Sequence, residues 1–143
     1  MAVAARNTLR TDSWDKVYAY LQTTNPISTS NIFSAFNSRL LADNGYPLVI
    51  IHPPLVSYDR MNVTGALTSS EINMLIEVYE NTSAKVKALA DNVTTKLIAG
   101  KDVFSSDGLK RMNIEQGSFD TWQDGKKKVH RMGFTISFRF VSD

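Results

Sequence analysis

The sequence predicts an α+β fold, in which a single mixed or antiparallel β-sheet has helices packed on one face as a two-layer sandwich. Apolar residues recur every three or four positions over residues 86–97, which is typical of a helix with one buried face. Residues 72–78 and 130–140 alternate apolar with other side chains, which is typical of strands with one buried face. These patterns follow one another without an internal repeat or a linker, so residues 1–143 are expected to form one domain.

The composition is that of an ordinary globular domain. The chain has 143 residues, of which 43% are hydrophobic and 21% charged, and this suffices for one hydrophobic core. It contains no cysteine, which excludes disulfides, thiolate zinc sites and a cysteine nucleophile. The net charge of +2 is too small to indicate a dedicated nucleic-acid-binding protein. No apolar run has the length of a secretory signal or a membrane span, so we expect a soluble protein that is not exported.

The first predicted helix follows a small, polar N-terminal segment. Residues 1–11 are expected to form a mobile arm. The helix is predicted to begin near Asp12 or Ser13, since either side chain can accept a hydrogen bond from the free N–H groups of a first turn. It is predicted to end at Asn25-Pro26, because the residue before a proline disfavours the helical conformation. The apolar stripe of this helix consists of Trp14, Val17, Tyr18 and Leu21.

The middle of the chain contains two predicted strands separated by a polar stretch. Residues 31–45 fit either a strand or a short helix. Residues 47–51 form a short apolar run closed by two prolines, which predicts a buried strand. Residues 57–70 are polar and are expected to be a long loop or a β-hairpin arm. The strand predicted over residues 71–80 has one apolar face. Its other face carries Glu71, Asn73, Glu77 and Tyr79.

The C-terminal half is predicted to be a helix followed by a long hairpin. The helix spans residues 83–99, with Gly100 in the position of a C-terminal cap. Asp124-Gly125 predicts a two-residue turn between strands over residues 109–122 and 127–141. The second of these strands turns its aromatic residues to one face, which leaves the other face for solvent or a partner. That other face carries Val129, Arg131, Gly133, Thr135, Ser137 and Arg139.

Catalytic and metal-binding motifs are absent from the sequence. The two histidines, His52 and His130, have no motif beside them and are interpreted as polar residues at strand ends. Glu77 and Glu80, near the end of a predicted strand, are interpreted as a solvated face. The sequence contains no nucleophile-elbow, dinucleotide-binding or phosphate-binding glycine motif. We therefore predict that the protein is not an enzyme and has no catalytic, cofactor or metal site.

A basic stretch at the predicted turn has two interpretations. It consists of Lys126, Lys127, Lys128 and Arg131. These charges are either solvated residues that discourage association of sheet edges, or a basic rim that meets phosphates or an acidic partner. Phe119 and Trp122 lie across the turn, so an aromatic and basic surface for single-stranded nucleic acid is also conceivable. Asp120 and Asp124 lie in the same stretch and dilute its positive charge.

The order and spacing of these segments resemble those of the tail terminator and tail-completion (neck) proteins of long-tailed bacteriophages. The likeness runs from about residue 12 onward. It rests on a helix over residues 14–21, a strand over 46–51 that ends in prolines, a strand-to-helix unit over 72–93, and a hairpin that closes on 128–140.

The resemblance implies a structural virion protein that assembles into a homo-oligomeric ring, commonly a hexamer. In such proteins the ring caps the finished tail tube and joins it to the head-side connector or stopper protein. Viral DNA passes through the lumen with transient, non-specific contact. We therefore expect a tail terminator or neck subunit, made in the host cytoplasm and located in the virion at the head–tail junction. The resemblance implies no cofactor and no membrane partner.

Two candidate surfaces follow from this implied ring. Closed rings use head-to-tail contacts, so each subunit needs two different complementary surfaces. The candidate inter-subunit arm is the segment 57–70, with Tyr58, Arg60, Met61, Val63 and Leu67. The candidate surface for the lumen, for DNA or for a partner carries Lys126, Lys127, Lys128, Arg131 and Arg139.

Three other functions remain open from the sequence. One is another virion assembly part, such as a head–tail stopper or a baseplate adaptor. A second is a small nucleic-acid-binding module that uses the basic hairpin, with binding that weakens as salt increases. A third is an enzyme without a known motif, which needs a well-formed pocket containing groups with shifted pKa values.

Overall fold

The computed structural model describes residues 9–24, 32–34, 47–60, 68–124 and 127–142. Their helices are α1 (Leu9–Thr24), α2 (Ser83–Ala99) and α3 (Lys101–Ser106). Their strands are β1 (Ile32–Phe33), β2 (Leu48–Ile51), β3 (Leu55–Arg60), β4 (Thr68–Glu80), β5 (Lys110–Asp124) and β6 (Lys127–Ser142). All six strands form one mixed sheet with helices packed on it, which confirms the predicted α+β fold class.

The sheet has the strand order β1-β2-β4-β6-β5, and β3 also pairs with β4. β1 is parallel to β2, and every other pairing is antiparallel. β2 and β3 lie on the same side of β4. The pairing of β2 with β4 ends at Ile51↔Ile76, and the pairing of β3 with β4 begins at Leu55↔Asn73. The three residues 52–54 therefore oppose two residues of β4, which is the geometry of a β-bulge.

The bulge between β2 and β3 follows from the two prolines of the sequence. A proline has no N–H group to donate to a neighbouring strand, so it is confined to bulges and edges of a sheet. The N–H group of His52 still donates to the carbonyl of Leu75 at 2.9 Å. β2 therefore ends before the prolines, as predicted, and strand pairing along β4 resumes at Leu55.

The segment expected as a loop or hairpin arm contains paired strand residues. β3 pairs with the first half of β4 from Leu55↔Asn73 to Arg60↔Thr68, so these strands are the two legs of a hairpin. β4 consequently begins at Thr68, three residues before the predicted start at residue 71. Residues 61–67, which include Met61, Val63 and Leu67, lie outside the described residues.

The hydrophobic core lies between the helices and one face of the sheet. Each of its fully buried large aliphatic side chains contributes about 1.5–3 kcal/mol to folding relative to exposure. From β4 and β6 the core contains Ile72, Met74, Ile76, Val78, Phe134, Ile136, Phe138 and Phe140, all on the predicted faces. From α2 it contains Val86, Leu89, Ala90, Val93 and Leu97, as the periodicity predicts.

Helix α1 begins earlier than the sequence predicted. It starts at Leu9, whose side chain is fully buried in the core and anchors the first turn. Ser13 is buried inside the helix, and its hydroxyl donates to the carbonyl of Arg10 at 3.1 Å instead of capping free N–H groups. The predicted mobile arm is therefore wrong for residues 9–11, and residues 1–8 lie outside the described part. The helix ends at Thr24, directly before Asn25-Pro26 as predicted.

Helix α3 follows α2 directly and was not predicted from the sequence. Gly100 has φ −85°, so it is not a left-handed cap, and the chain continues from it directly into α3. A Cβ atom on Gly100 would lie 2.5 Å from Cζ of Tyr20, so only glycine leaves room for that ring. α3 buries Phe104, which makes edge-to-face contacts with Tyr20 and Phe138 at centroid distances of 5.1 and 5.3 Å.

The β5–β6 hairpin contains two irregularities in β5. The register shifts between Lys110 and Asn113 and again between Gln116 and Phe119. Arg111 at the first shift has φ 53°, a left-handed conformation that costs a non-glycine residue about 1–3 kcal/mol. The sequence predicted the turn at Asp124-Gly125, but Asp124 is still a strand residue paired with Lys127. Gly125 and Lys126, which connect the two strands, lie outside the described residues.

Candidate functional site

The second face of the sheet is the face opposite the helices, and it holds most of the polar residues singled out in the sequence. Strand alternation places Arg131 and Arg139 of β6, and Glu71 and Glu77 of β4, on this face. The sequence predicted that this face is left for solvent or a partner. The end near β1 is instead apolar. A second hydrophobic cluster there consists of Leu48, Ile50, Tyr79 and Val129, with Phe33 packed against it.

A charged cluster, here named the Glu77 cluster, lies next to this apolar cluster. Glu77 is only 7% exposed, so its interpretation as part of a solvated face was wrong. One carboxylate oxygen of Glu77 accepts a hydrogen bond from Nε of Arg131, and the other contacts Nε2 of His52. Nη1 of Arg131 donates to Asp120, and Nη2 lies 3.4 Å from the hydroxyl of Ser118. The cluster therefore joins β4, β5, β6 and the β2–β3 bulge.

The register of the sheet explains how these side chains meet. Glu77 is directly opposite Gly133, while Arg131 is opposite Tyr79 on one side and Asp120 on the other. Because Gly133 has no side chain, Arg131 can lie diagonally across it toward Glu77. A Cβ atom on Gly133 would lie 3.4 Å from Nη2 of Arg131, so the guanidinium occupies the space next to this glycine.

The electrostatics of the cluster favour a charged Arg131 and a neutral Tyr79. Burial alone would lower the pKa of Arg131, but hydrogen bonds to Asp120 and Glu77 outweigh it and hold that pKa above its ordinary value. Burial raises the pKa of the Tyr79 hydroxyl strongly, and the negative charge of Glu77 raises it further. Arg131 is thus bound to two carboxylates of the same chain, which reduces its capacity to meet phosphates.

The raised pKa of Tyr79 predicts a loss of stability in alkali. The unfolded chain releases this proton near pH 10, whereas the folded chain retains it. The protonated Tyr79 therefore makes its full contribution to the free energy of unfolding below pH 10, and this contribution declines as the pH rises above 10. One such proton changes the free energy of unfolding by about 1.4 kcal/mol per pH unit. From about pH 10 to about pH 11, we expect the free energy of unfolding, measured with urea, to fall by about 1 kcal/mol more in the wild type than in Tyr79→Phe. Equal losses in the two proteins would contradict the assignment.

A polar depression of about 250 Å³ lies farther along the second face. Ser137 donates to the side-chain oxygen of Asn73 at 2.7 Å, and Nη1 of Arg139 lies 2.6 Å from the hydroxyl of Ser69. Nη2 of Arg139 is 3.7 Å from Glu71, so this cation also has partners within the chain. Arg111, with its left-handed backbone, lines the same depression.

The structure distributes the candidate basic residues over different places. Arg131 and Arg139 share the second face but are separated by eight positions of β6, about 26 Å along an extended strand. Lys128 is exposed and lies in register with Gln123, on the helix side of the sheet. Lys127 is the first residue of β6, and Lys126 lies outside the described residues. Of the proposed arm, Tyr58 and Arg60 are strand residues of β3.

The two histidines are not brought together. His52 belongs to the Glu77 cluster, while Nδ1 of His130 lies 3.0 Å from the hydroxyl of Thr121 on the helix side of the sheet. Among the described residues, no group of three or more His, Cys, Asp or Glu side chains is placed to hold a metal ion.

Two features of the structure have no signal in the sequence. An open apolar pocket of about 300 Å³ lies between the start of α1 and the prolines of the bulge. Trp14 lines it and donates from its indole nitrogen to the carbonyl of Ile51 at 2.7 Å. The burial of Glu77 also had no signal, because it depends on which residues oppose it across β2 and β6.

Comparison with known proteins gives no family assignment, since no protein-family model and no curated protein matches the sequence. The helices in the described ranges include none that is both long and apolar enough to cross a membrane.

Proposed function

We propose that the chain is a structural subunit of a ring at the head–tail junction of a tailed bacteriophage, a tail terminator or neck protein. In this function the ring caps the tail tube, joins it to the head connector and lets DNA pass through its lumen. The resemblance in element order motivates the proposal. The observation that carries it is the pair of outer sheet edges formed by β3 and β5.

These two edges have the geometry that a head-to-tail contact requires. Within the described residues, β3 pairs only with β4 and β5 only with β6, so each presents unpaired backbone groups on its outer side. The edge of β3 lies on one side of β4 and β6, and the edge of β5 lies on the other side. The two strands run antiparallel to each other, because three antiparallel pairings separate them. An edge of β5 can therefore pair with β3 of the next subunit, which continues the sheet from copy to copy.

The side chains at the two edges differ, as a heterologous contact needs. Leu55 at the start of β3 is 73% exposed, the highest exposure among the large apolar side chains in the described ranges. β5 has two bulges, which interrupt its edge and leave regular stretches over residues 113–116 and 119–124. Bulges limit indiscriminate pairing of edges, so a specific neighbour is favoured over uncontrolled aggregation.

The test is assembly of the purified protein, alone and with tail-tube protein, followed by mass photometry and negative-stain electron microscopy. We expect rings of one defined size. Leu55→Lys should abolish them, because a lysine at this edge opposes strand pairing. Ile98→Lys is the matched control, since Ile98 is 56% exposed on α2, away from both edges, and should leave assembly intact.

Two outcomes would contradict the proposal or change it. A protein that stays monomeric at high concentration and never joins tail tubes excludes the ring. Capture by portal or connector protein, but not by tail-tube protein, identifies a head–tail stopper instead of a terminator. Rings that form equally well in Leu55→Lys show that β3 is not an interface.

A further inference from the structure

The polar depression on the second face lies where β5 departs from regular pairing with β6. Its lining includes Asn73 of β4, Arg111 and Glu115 of β5, and Thr135 and Ser137 of β6. The volume is about 250 Å³. Ligands of drug size occupy pockets of about 300–1,000 Å³, so this depression has room for one small molecule.

A bulge in β5 adds Arg111 to this depression. Between two regular pairs of β5 and β6, Arg111 and Met112 together oppose the single residue Phe138. Met112 packs against the hydrophobic core on the helix side, while Arg111 lines the depression on the other face of the sheet. Bulges re-aim side chains in this way, and they do so next to ligand sites.

The backbone of Arg111 is strained, and its side chain is uncommitted. With φ 53°, this residue is in the left-handed region, which glycine and asparagine adopt more readily than arginine. Strained residues of this kind cluster where a ligand is held. Within the described part of the chain, the exposed guanidinium of Arg111 has no partner, whereas Arg139 is bound to Ser69 and lies 3.7 Å from Glu71.

The other groups of the depression suit a ligand with several hydroxyls. Ser137 donates to the side-chain oxygen of Asn73 at 2.7 Å, so the amide nitrogen of Asn73 keeps its hydrogens for other acceptors. Among the described residues, no hydrogen-bond partner contacts the hydroxyl of Thr135. Glu115 receives only a long contact of 3.5 Å from Asn113. The depression therefore presents both donors and acceptors, as hydroxyl groups require.

We propose that this depression binds a sugar acid of the hexuronate type, with its carboxylate on Arg111 and its hydroxyls on Asn73 and Thr135. A guanidinium holds a carboxylate through two parallel hydrogen bonds, which fixes the orientation of the sugar. A polyanion is disfavoured, because Glu71 and Glu115 repel its further charges. A neutral sugar leaves Arg111 unpaired, and a simple carboxylate leaves the hydroxyl-binding groups unpaired. The binding belongs to the isolated subunit and goes beyond the proposed ring.

The experiment is an NMR titration of the full chain with glucuronate. A Kd of about 1 mM is expected for a ligand of this size at ordinary ligand efficiency. Two matched ligands separate the contributions, since glucose lacks the carboxylate and hexanoate lacks the hydroxyls. Each should bind about tenfold more weakly than glucuronate, because each loses one set of hydrogen bonds.

Two variants and a control test the assignment of residues. Arg111→Asn should weaken glucuronate binding about tenfold and leave glucose binding unchanged. Its Tm should be no lower than that of the wild type, because asparagine tolerates the left-handed backbone. Thr135→Val leaves the bulge untouched and should weaken glucuronate binding about fivefold. Arg10→Asn removes an exposed arginine from α1 and should bind as the wild type does.

Several outcomes would overturn the inference. These are no saturable shift with glucuronate, equal affinity for glucose or hexanoate, unchanged affinity in Arg111→Asn, and shifts confined to residues outside β4, β5 and β6. A clear fall in the Tm of Arg111→Asn would show that this arginine serves stability instead of a ligand. Ring assembly is measured on the same samples. Intact rings without glucuronate binding overturn this inference alone, whereas monomers that bind glucuronate contradict only the proposed function.

Discussion

Arg131→Ala is expected to lower the free energy of unfolding by about 3 kcal/mol, since it leaves the carboxylate of Glu77 buried without its guanidinium partner. Breaking a buried ion pair from one side costs about 3–5 kcal/mol. We expect the lower end of this range because His52 still contacts Glu77, and because Asp120 is exposed enough to be solvated when it loses Arg131. Urea unfolding followed by circular dichroism measures the change.

Two further variants distinguish loss of the pair from loss of packing. Arg139→Ala removes a more exposed arginine from the same face, where ion pairs contribute about 0–1 kcal/mol. The double variant Glu77→Leu/Arg131→Met removes both charges and is expected to recover most of the stability, as apolar replacements of buried pairs often do. Arg131→Ala behaving like Arg139→Ala would show that Glu77 is solvated.

Phe104→Ala is expected to lower the free energy of unfolding by about 3–5 kcal/mol, the range for truncating a buried phenylalanine. Phe104 is almost fully buried and contacts the rings of Tyr20 and Phe138, so it joins α1, α3 and β6. Edge-to-face contacts of this kind add about 0.5–1.5 kcal/mol to the burial of the ring. Thermal and urea unfolding both report the loss.

The neighbouring residue supplies the control for this prediction. Val103 lies in the same short helix but is 50% exposed, and Val103→Ala should change stability by no more than about 0.5 kcal/mol. Should Phe104→Ala fail to fold, Phe104→Leu retains most of the volume and allows the comparison at a smaller loss. Equal stability of the variants at positions 103 and 104 would mean that α3 is not docked on the core.

The elements that were predicted correctly are those whose signals are local. α2 spans the predicted residues 83–99, because its cap and its apolar stripe lie within one segment. Thr82 accepts a hydrogen bond from the N–H group of Lys85, which starts the helix where expected. The core face of β6 was also predicted correctly, since a period of two needs no information from elsewhere in the chain.

The errors concern contacts between distant segments. The prolines do follow the end of β2 as predicted, but the sequence did not show that β4 continues past them and pairs with β3. Helix α3 is too short for a periodic signal, and burial of Phe104 against other elements holds it in place. For the candidate site, the sequence placed Arg131 and Arg139 on one face but could not show that Glu77, Asp120 and Ser69 would bind them.

By itself, then, the sequence determined the fold class, the long helix α2 and the division of β4 and β6 into an apolar and a mixed face. These features depend on side chains a few positions apart, and backbone geometry alone brings such side chains together. Only the tertiary structure decided which charges are paired and which strand edges have no partner among the described residues. Those properties depend on the register of the strands. Glu77 lies opposite Gly133, and not opposite a residue next to Gly133, because β4 and β6 pack against the core in this register although they lie far apart in the chain.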